Sequence, residues 1–441
     1  MPRLVIVSNR VPRPRERTQP AGGLAIALNE AIRTRETLWF GWSGAHDQPP
    51  GAAPRITVQA NVTFATIDIG ADLFRGYYQG YSNSTLWPLL HSRVGLTVFR
   101  REDQAAYRTV NAAFADALLP LLRPDDIIWV HDYHLIPLGR MLRARGATQR
   151  IGFFLHVPFP PPELFDCLPQ AGELLDDLAD YDVLGVQTDP DAAHLNAMLA
   201  AGGRVARAAG YPIGIDPVSF ANAARKASTG AEVSRLHASL GDRALILGVD
   251  RLDYSKGLPE RLAGYERLLR RFPEHHGRVT MLQIAPVSRG EVTEYRALRR
   301  ELYELAGRIN GEHADVDWMP LRFLTRTVSR ATLAGYLRMA RVGLVTPLRD
   351  GMNLVAKEYV AAQNPADPGA LVLSRFAGAA LELPDALLIN PYDPDEIAEA
   401  VHTALTMTLE QRLERWTRMK QAVTSNTAAG WARRFLADLM G

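Results

Sequence analysis

Short, continuous apolar runs recur along the chain, separated by stretches with helical spacing. The runs are Leu4–Val7, Ile127–Val130, Ile151–Leu155, Val183–Val186, Leu245–Val249, Val279–Ile284, Val342–Val345 and Leu371–Leu373. They are rich in β-branched residues and do not alternate with polar ones, the pattern of strands buried on both faces. Between them, Ala105–Leu119, Leu258–Arg271, Tyr295–Ile309 and Val355–Gln363 carry apolar residues at helical intervals and predict the crossovers of parallel sheets. The fold class predicted is α/β, with doubly wound sheets.

The 441 residues exceed what one hydrophobic core of roughly 250–300 residues can organise, so two domains are predicted. Gly-Tyr-Pro-Ile-Gly-Ile-Asp-Pro at 210–217 breaks the strand–helix rhythm before Leu245–Val249 opens a second sheet. The boundary is placed near Arg225, dividing 1–225 from 226–441. From about Leu409 onward one or two terminal helices are predicted, with packing on the second domain and return to the first both open.

Composition narrows the function classes. Fifty basic residues against 48 acidic give a net charge of +2, without the positive blocks of a phosphate-neutralising nucleic-acid binder. Cys167 is the only cysteine, so no internal disulfide forms and a reducing, cytoplasmic compartment is expected. Leu4–Val7 is shorter than a signal-peptide core of about 7–15 residues. No apolar run approaches the roughly 20 residues of a membrane helix.

Ligands of open parallel sheets sit beyond the carboxyl ends of the strands, so the residues that follow each run matter most. Ser8-Asn9-Arg10 follows the first. Ala21-Gly22-Gly23-Leu24 then reads as a helix start whose backbone N–H groups a phosphate can approach, or as an ordinary flexible loop. Arg251 and Lys256, after Leu245–Val249, could grip a diphosphate, one as a planar fork and one as a point charge, or could be solvated surface. After Val342–Val345 comes Asp350-Gly-Met-Asn353-Leu354, with Glu358 on the first turns of a helix. Glu358 could accept two ribose hydroxyls or merely complement the helix dipole. The H-x-x-H spacing of His131 and His134 does not put both imidazoles on one face, and no metal is assigned. His156 by itself reads as structural. The D-x-D pairs Asp189/Asp191, Asp315/Asp317 and Asp393/Asp395 are expected coincidences among 48 acids.

Taken in order, Val-Ser8-Asn-Arg10, Gly22-Gly23, Trp39-Phe-Gly-Trp42, Leu86-Trp87-Pro, His131-Asp132-Tyr-His, His156-Val-Pro-Phe-Pro, Arg251-Leu-Asp-Tyr-Ser-Lys256-Gly, Ser288-Arg289-Gly and Asp350-Gly-Met-Asn353-Leu-Val-Ala-Lys-Glu358 cover nearly the whole chain. They resemble the trehalose-6-phosphate synthases, retaining glycosyltransferases of family 20. The resemblance implies the GT-B architecture of two Rossmann-like domains facing a cleft, and glucose transfer from UDP-glucose to glucose 6-phosphate without a metal or other cofactor. It implies an acceptor set of Arg10, Tyr78, Trp87, Asp132 and Arg289. It implies a donor set of Gly22, Gly23, His156, Arg251, Lys256, Val328, Asp350, Asn353, Leu354 and Glu358. Asp132, His156, Arg251, Lys256 and Asp350 are the expected catalytic group, and a homodimer or tetramer the expected assembly. The chain departs from the bacterial pattern in a shorter stretch between Gly203 and Tyr211 and in Val328, where relatives often carry Phe. Glucosylglycerol-phosphate synthesis, pseudo-glycosyl coupling and a silent sugar-phosphate-binding regulator are the alternatives.

Overall fold

Strand β1 (Leu4–Arg10) is buried from Leu4 through Ser8, as its unbroken apolar run requires. With β2 (Thr37–Trp42), β3 (Arg55–Gln59), β4 (Val62–Ile67), β5 (Ile127–His131), β6 (Arg150–Phe154), β7 (Val183–Val186) and β8 (Ala208–Gly210) it builds one sheet, in the order β3-β4-β2-β1-β5-β6-β7-β8. The second sheet comprises β9 (Ala244–Val249), β10 (Val279–Ile284), β11 (Leu321–Leu324), β12 (Val342–Val345), β13 (Ala370–Ser374) and β14 (Leu387–Ile389), in the order β11-β10-β9-β12-β13-β14. All pairs are parallel except β3 with β4. These elements come from a computed structural model that describes residues 2–12, 28, 35–47, 51–287 and 293–441.

The chain forms two compact units, Met1–Ile213 with Ala428–Gly441, and Gly214–Thr427. The boundary near Arg225 therefore needs correction: Arg225 lies inside helix Pro217–Ala227 of the second unit, and the chain passes between units at Ile213/Gly214. Asp216 caps that helix through the Ser219 N–H, which is why the Gly-Pro stretch ends in regular structure so early. Of the terminal helices, Leu409–Ser425 belongs to the second unit and Ala428–Met440 to the first.

Within the first unit, helix Arg101–Leu118 buries Tyr107, Val110, Phe114 and Leu118, and Phe114 meets Phe40 of β2 edge to face at 5.5 Å. Helix Ala428–Met440 buries Trp431 and Phe435, and Phe435 stacks on Trp129 of β5 at 4.8 Å. Gly185 of β7 makes this approach possible: a Cβ there would lie 2.7 Å from the rings of both Phe154 and Phe435.

In each sheet the chain turns to the opposite side once, between β1 and β5 in the first and between β9 and β12 in the second. Loops leaving such neighbouring strands part in opposite directions and leave a crevice at their carboxyl ends. In the second sheet β9 and β12 pair only at Ile246–Val342 and Leu247–Gly343, then separate. The turn Tyr254–Lys256 enters that gap and ends on Gly257, at φ 60°, where a Cβ would stand 2.1 Å from the Thr346 carbonyl oxygen. Only glycine fits there.

Phe435→Ala should cost about 3–5 kcal/mol, the range for truncating a buried Phe. Hydrogen exchange should register the loss in β5 to β7 and leave β9 and β10 unchanged. Equal loss in both sheets would contradict the assignment of the terminal helix to the first unit.

Candidate active site

At the end of β1 the Ser8 hydroxyl accepts the Trp39 indole N–H at 2.8 Å and donates to the Arg10 carbonyl at 3.0 Å. This fixes the strand's last turn and sends the Arg10 side chain outward, where its guanidinium lies over Trp42 at 5.7 Å. Residues 71–90 form one continuous helical segment whose middle, Arg75–Leu86, is wound in π turns, followed by Trp87–Leu90. Such winding is rare and concentrates at functional sites. Here it seats Tyr78 face to face with His134, ring centres 5.7 Å apart, and within 6.5 Å of Trp42. Tyr133 stands 5.7 Å from Trp87 and donates its hydroxyl to Asn83. Arg10, Tyr78, Trp87 and Asp132 are thus joined through Trp42, His134 and Tyr133 into one aromatic-walled group at the β1/β5 crevice.

Asp132 leaves β5 with φ 75° and ψ 164°, a conformation unusual for a residue with a side chain and common where geometry serves function. Two bonds to β6 and its exit hold it there: its N–H donates to the Phe154 carbonyl at 2.8 Å, and its Oδ1 accepts the His156 backbone N–H at 3.2 Å. The imidazoles of His131 and His156 face each other, Nδ1 to Nε2, at 3.1 Å. Burial drives the His156 ring down to about 3, and burial together with His156 drives His131 well below its ordinary value. Both rings are neutral at physiological pH. His134 turns away to stack on Tyr133 and Tyr78, so His131 and His134 do not form a chelating pair.

In the second unit the buried Arg261 ties the strand ends together. It donates to Asp250 Oδ2 at 2.6 Å, Gln283 Oε1 at 3.0 Å and Thr346 Oγ1 at 2.9 Å, linking the ends of β9, β10 and β12. Burial raises the Asp250 carboxyl and Arg261 opposes that rise, which keeps a charged pair in the interior. Arg251, the next residue after Asp250, is exposed. Lys256 Nζ meets Asp350 Oδ2 at 2.5 Å, and the Asn353 amide donates to the same oxygen at 3.1 Å. Asn353, left-handed at φ 73°, caps helix Leu354–Ala362 by accepting the Ala356 N–H. Leu354 is that helix's first residue, and Glu358 stands on its second turn. Burial lifts Glu358 to about 7, partly countered by Arg330 at 3.7 Å. Arg330 opens helix Arg330–Met339, two residues beyond the half-buried Val328.

Arg251, Lys256, Val328, Asp350, Asn353, Leu354 and Glu358 therefore all lie on segments leaving β9, β11 and β12, whereas Gly22, Gly23 and Arg289 lie outside the described residues. Sequence reasoning missed Arg261 and Arg330. Arg261 sits among the charged residues of a surface-like helix, and only its complete burial distinguishes it. The three D-x-D pairs have local partners: Asp191 accepts the Phe159 N–H, Asp393 caps helix Pro394–Thr406, and Asp317 pairs with Arg243. Two groups with ion-holding spacing occur among the described residues, Glu274/His275/His402 and Glu266/Glu312/His313, and neither contains a strand-end residue named above.

Residues 2–441 match the pattern of Glycosyltransferase family 20. The chain is 48% identical to a trehalose-6-phosphate synthase of Sinorhizobium fredii over all of its own length and 98% of the relative's. It is 47% identical to one of Escherichia coli K12, covering 95% of that protein. Among solved structures, a UDP-forming α,α-trehalose-phosphate synthase from Burkholderia xenovorans in complex with glucose 6-phosphate superposes with a TM-score of 0.96 at 45% identity, covering all of both chains. The Escherichia coli protein bound with UDP-2-fluoro glucose superposes at 0.94 with 45% identity, covering 99% of this chain and 98% of that one. Two parallel-dominated sheets of this order and a match spanning both units place the chain in glycosyltransferase family 20.

Proposed function

We propose that this enzyme transfers glucose from UDP-glucose to O1 of glucose 6-phosphate with retention, giving α,α-trehalose 6-phosphate and UDP. The observation that carries the reading is the charged equipment at the two crevices: Arg10 with an aromatic wall after β1, and Arg251, Lys256 and a helix N-terminus after β9 and β12. The aromatic wall of Tyr78 and Trp87 suits a sugar ring and favours this reaction over its glycerol-phosphate counterpart. The donor equipment, Arg251, Lys256, Asp350 and Glu358, speaks against a silent regulator. Arg10 and Arg289 grip the acceptor phosphate, whose nearly two charges favour two guanidinium groups.

Arg251 and Lys256 stabilise charge that builds on the diphosphate as the glycosidic bond breaks. Asp350 holds Lys256 ready and yields part of that contact to the phosphate. Asp132 orients acceptor hydroxyls, because one carboxylate oxygen already anchors the His156 backbone. The acceptor attacks from the face the diphosphate leaves, and a departing phosphate oxygen takes its proton, so no protein carboxylate forms a glucosyl adduct. His156 lies against the donor glucosyl unit, Gly22 and Gly23 present N–H groups to the donor, and Val328 borders the base. Action in the cytoplasm as a dimer or tetramer completes the proposal. No described helix is long and apolar enough to cross a membrane.

Arg251→Ala and Lys256→Ala should each lower kcat by about 10²–10³, the effect of removing one preorganised donor; near-normal turnover in both would remove the leaving-group role. Arg10→Ala and Arg289→Ala should raise KM for glucose 6-phosphate roughly 10–100-fold, the equivalent of one charged hydrogen bond. Unchanged acceptor kinetics would remove both from the phosphate site. Glu358 accepts ribose hydroxyls as a carboxylate, so binding must lower its raised pKa and favour the ionised form. UDP-glucose binding should therefore release protons just below pH 7 and weaken as pH falls further, by up to about tenfold per pH unit. Calorimetry in buffers of different ionisation enthalpy reads this release, which Glu358→Gln should abolish; equal release from the variant would assign the proton elsewhere.

A further inference from the structure

We propose that Gln187 fixes the tautomer of His156 and is thereby a positioning residue for sugar transfer. The backbone N–H of Ile213 gives its proton to Gln187 Oε1 at 3.1 Å. That contact orients the amide, leaving Nε2, itself only a donor, 3.4 Å from His156 Nδ1. Nδ1 must accept, so the neutral ring carries its proton on Nε2. His156 Nε2 in turn faces His131 Nδ1 at 3.1 Å, which must accept. The His131 proton then resides on Nε2, a buried atom without a hydrogen-bond partner among the described residues.

The end of this chain shows that Gln187 makes the choice. With both imidazoles reversed, the contact between them would survive, and His131 would no longer bury an unpaired N–H, which is costly. The reversal would, however, point the His156 Nδ1–H at the Gln187 amide N–H. The pair therefore adopts the arrangement that is worse for His131 because Gln187 forbids the other. Around the rings stand Trp431, 5.8 Å from His156, Phe154 at 4.6 Å and Trp129, 4.6 Å from His131, so water offers little alternative bonding.

The consequence rests on the proposed placement of His156 beside the donor sugar. Both ring nitrogens of His156 are engaged inside the protein, Nδ1 by Gln187 and Nε2 by His131, so the tautomer fixes the direction of the ring dipole that lies beside the donor sugar and the charge developing on it. Gln187 itself is buried and receives its orientation from Ile213, the residue at which the chain leaves the first unit. The side chain that sets the tautomer is thus fixed by backbone, not by substrate.

Gln187→Glu separates positioning from packing. The carboxylate has the amide's shape and still accepts the Ile213 N–H, but it also accepts from Nδ1. With ¹⁵N-histidine in the full chain, long-range ¹⁵N–¹H correlation at neutral pH should find the wild-type proton on Nε2 of both rings. In Gln187→Glu it should find His156 protonated at Nδ1. kcat should fall roughly 10–100-fold, the scale of one reversed preorganised dipole beside the reacting sugar, with KM for glucose 6-phosphate within about twofold. A wild-type proton on Nδ1, a variant that keeps Nε2–H, or a reversed tautomer with unchanged kcat would each overturn the proposal. His156→Ala, assayed alongside, tests the donor contact separately: full activity there would refute that contact while the tautomer measurement stood on its own.

Discussion

Parallel strands deliver the loops that leave them at one end of the sheet, and the reversal of chain order parts two of those loops. This single topological constraint fixes where chemistry can occur in each unit. At the β1/β5 reversal the strands stay paired through Ser8 and His131, so the crevice opens only at Arg10 and Asp132. At β9/β12 the strands separate earlier, and a turn ending on Gly257 fills the space, lifting Lys256 to its rim. The two crevices thus differ in character: one is walled by aromatic rings, the other by charge.

Holding charge at a strand end demands partners, because an unpaired buried ion is expensive. The second unit answers with layers. Arg261 and Asp250 neutralise each other below, Lys256 and Asp350 pair above them, and Glu358 faces Arg330 at the side. Each inner pair sets the backbone from which the next residue projects. In the first unit the same need is met with neutral groups: the Asp132 carboxylate takes a backbone N–H, and the two buried imidazoles share one proton contact. A low-dielectric site can then act on charge that arrives with the substrates.

Much of this was legible in the chain. Val183–Val186, Val279–Ile284, Val342–Val345 and helix Leu258–Arg271 lie where the apolar pattern puts them, since central strands and long amphipathic helices are set by burial alone. The edges were not legible. Every residue of β3 is exposed and it runs antiparallel to β4, so neither continuous nor buried patterning marks it. β8 and β14 are three residues each, too short for a period. The helix pattern Ala105–Leu119 began late because the first turn, Arg101–Gln104, is polar. Of the site, the residues directly following strands were readable by position. The π-wound segment, the buried role of Arg261 and the contact of Gln187 with His156 arise from tertiary packing, where a polar side chain's partners lie far away in the chain.

In the proposed reaction each crevice serves one substrate, the acceptor phosphate at β1/β5 and the nucleotide sugar at β9/β12. Amide hydrogen exchange of the full chain with each ligand alone tests it most directly. Glucose 6-phosphate should protect the amides around Ser8–Arg10 and His131–His134, and UDP those of residues 250–257 and 350–358. Protection by UDP confined to the first unit, or by glucose 6-phosphate confined to the second, would contradict the account.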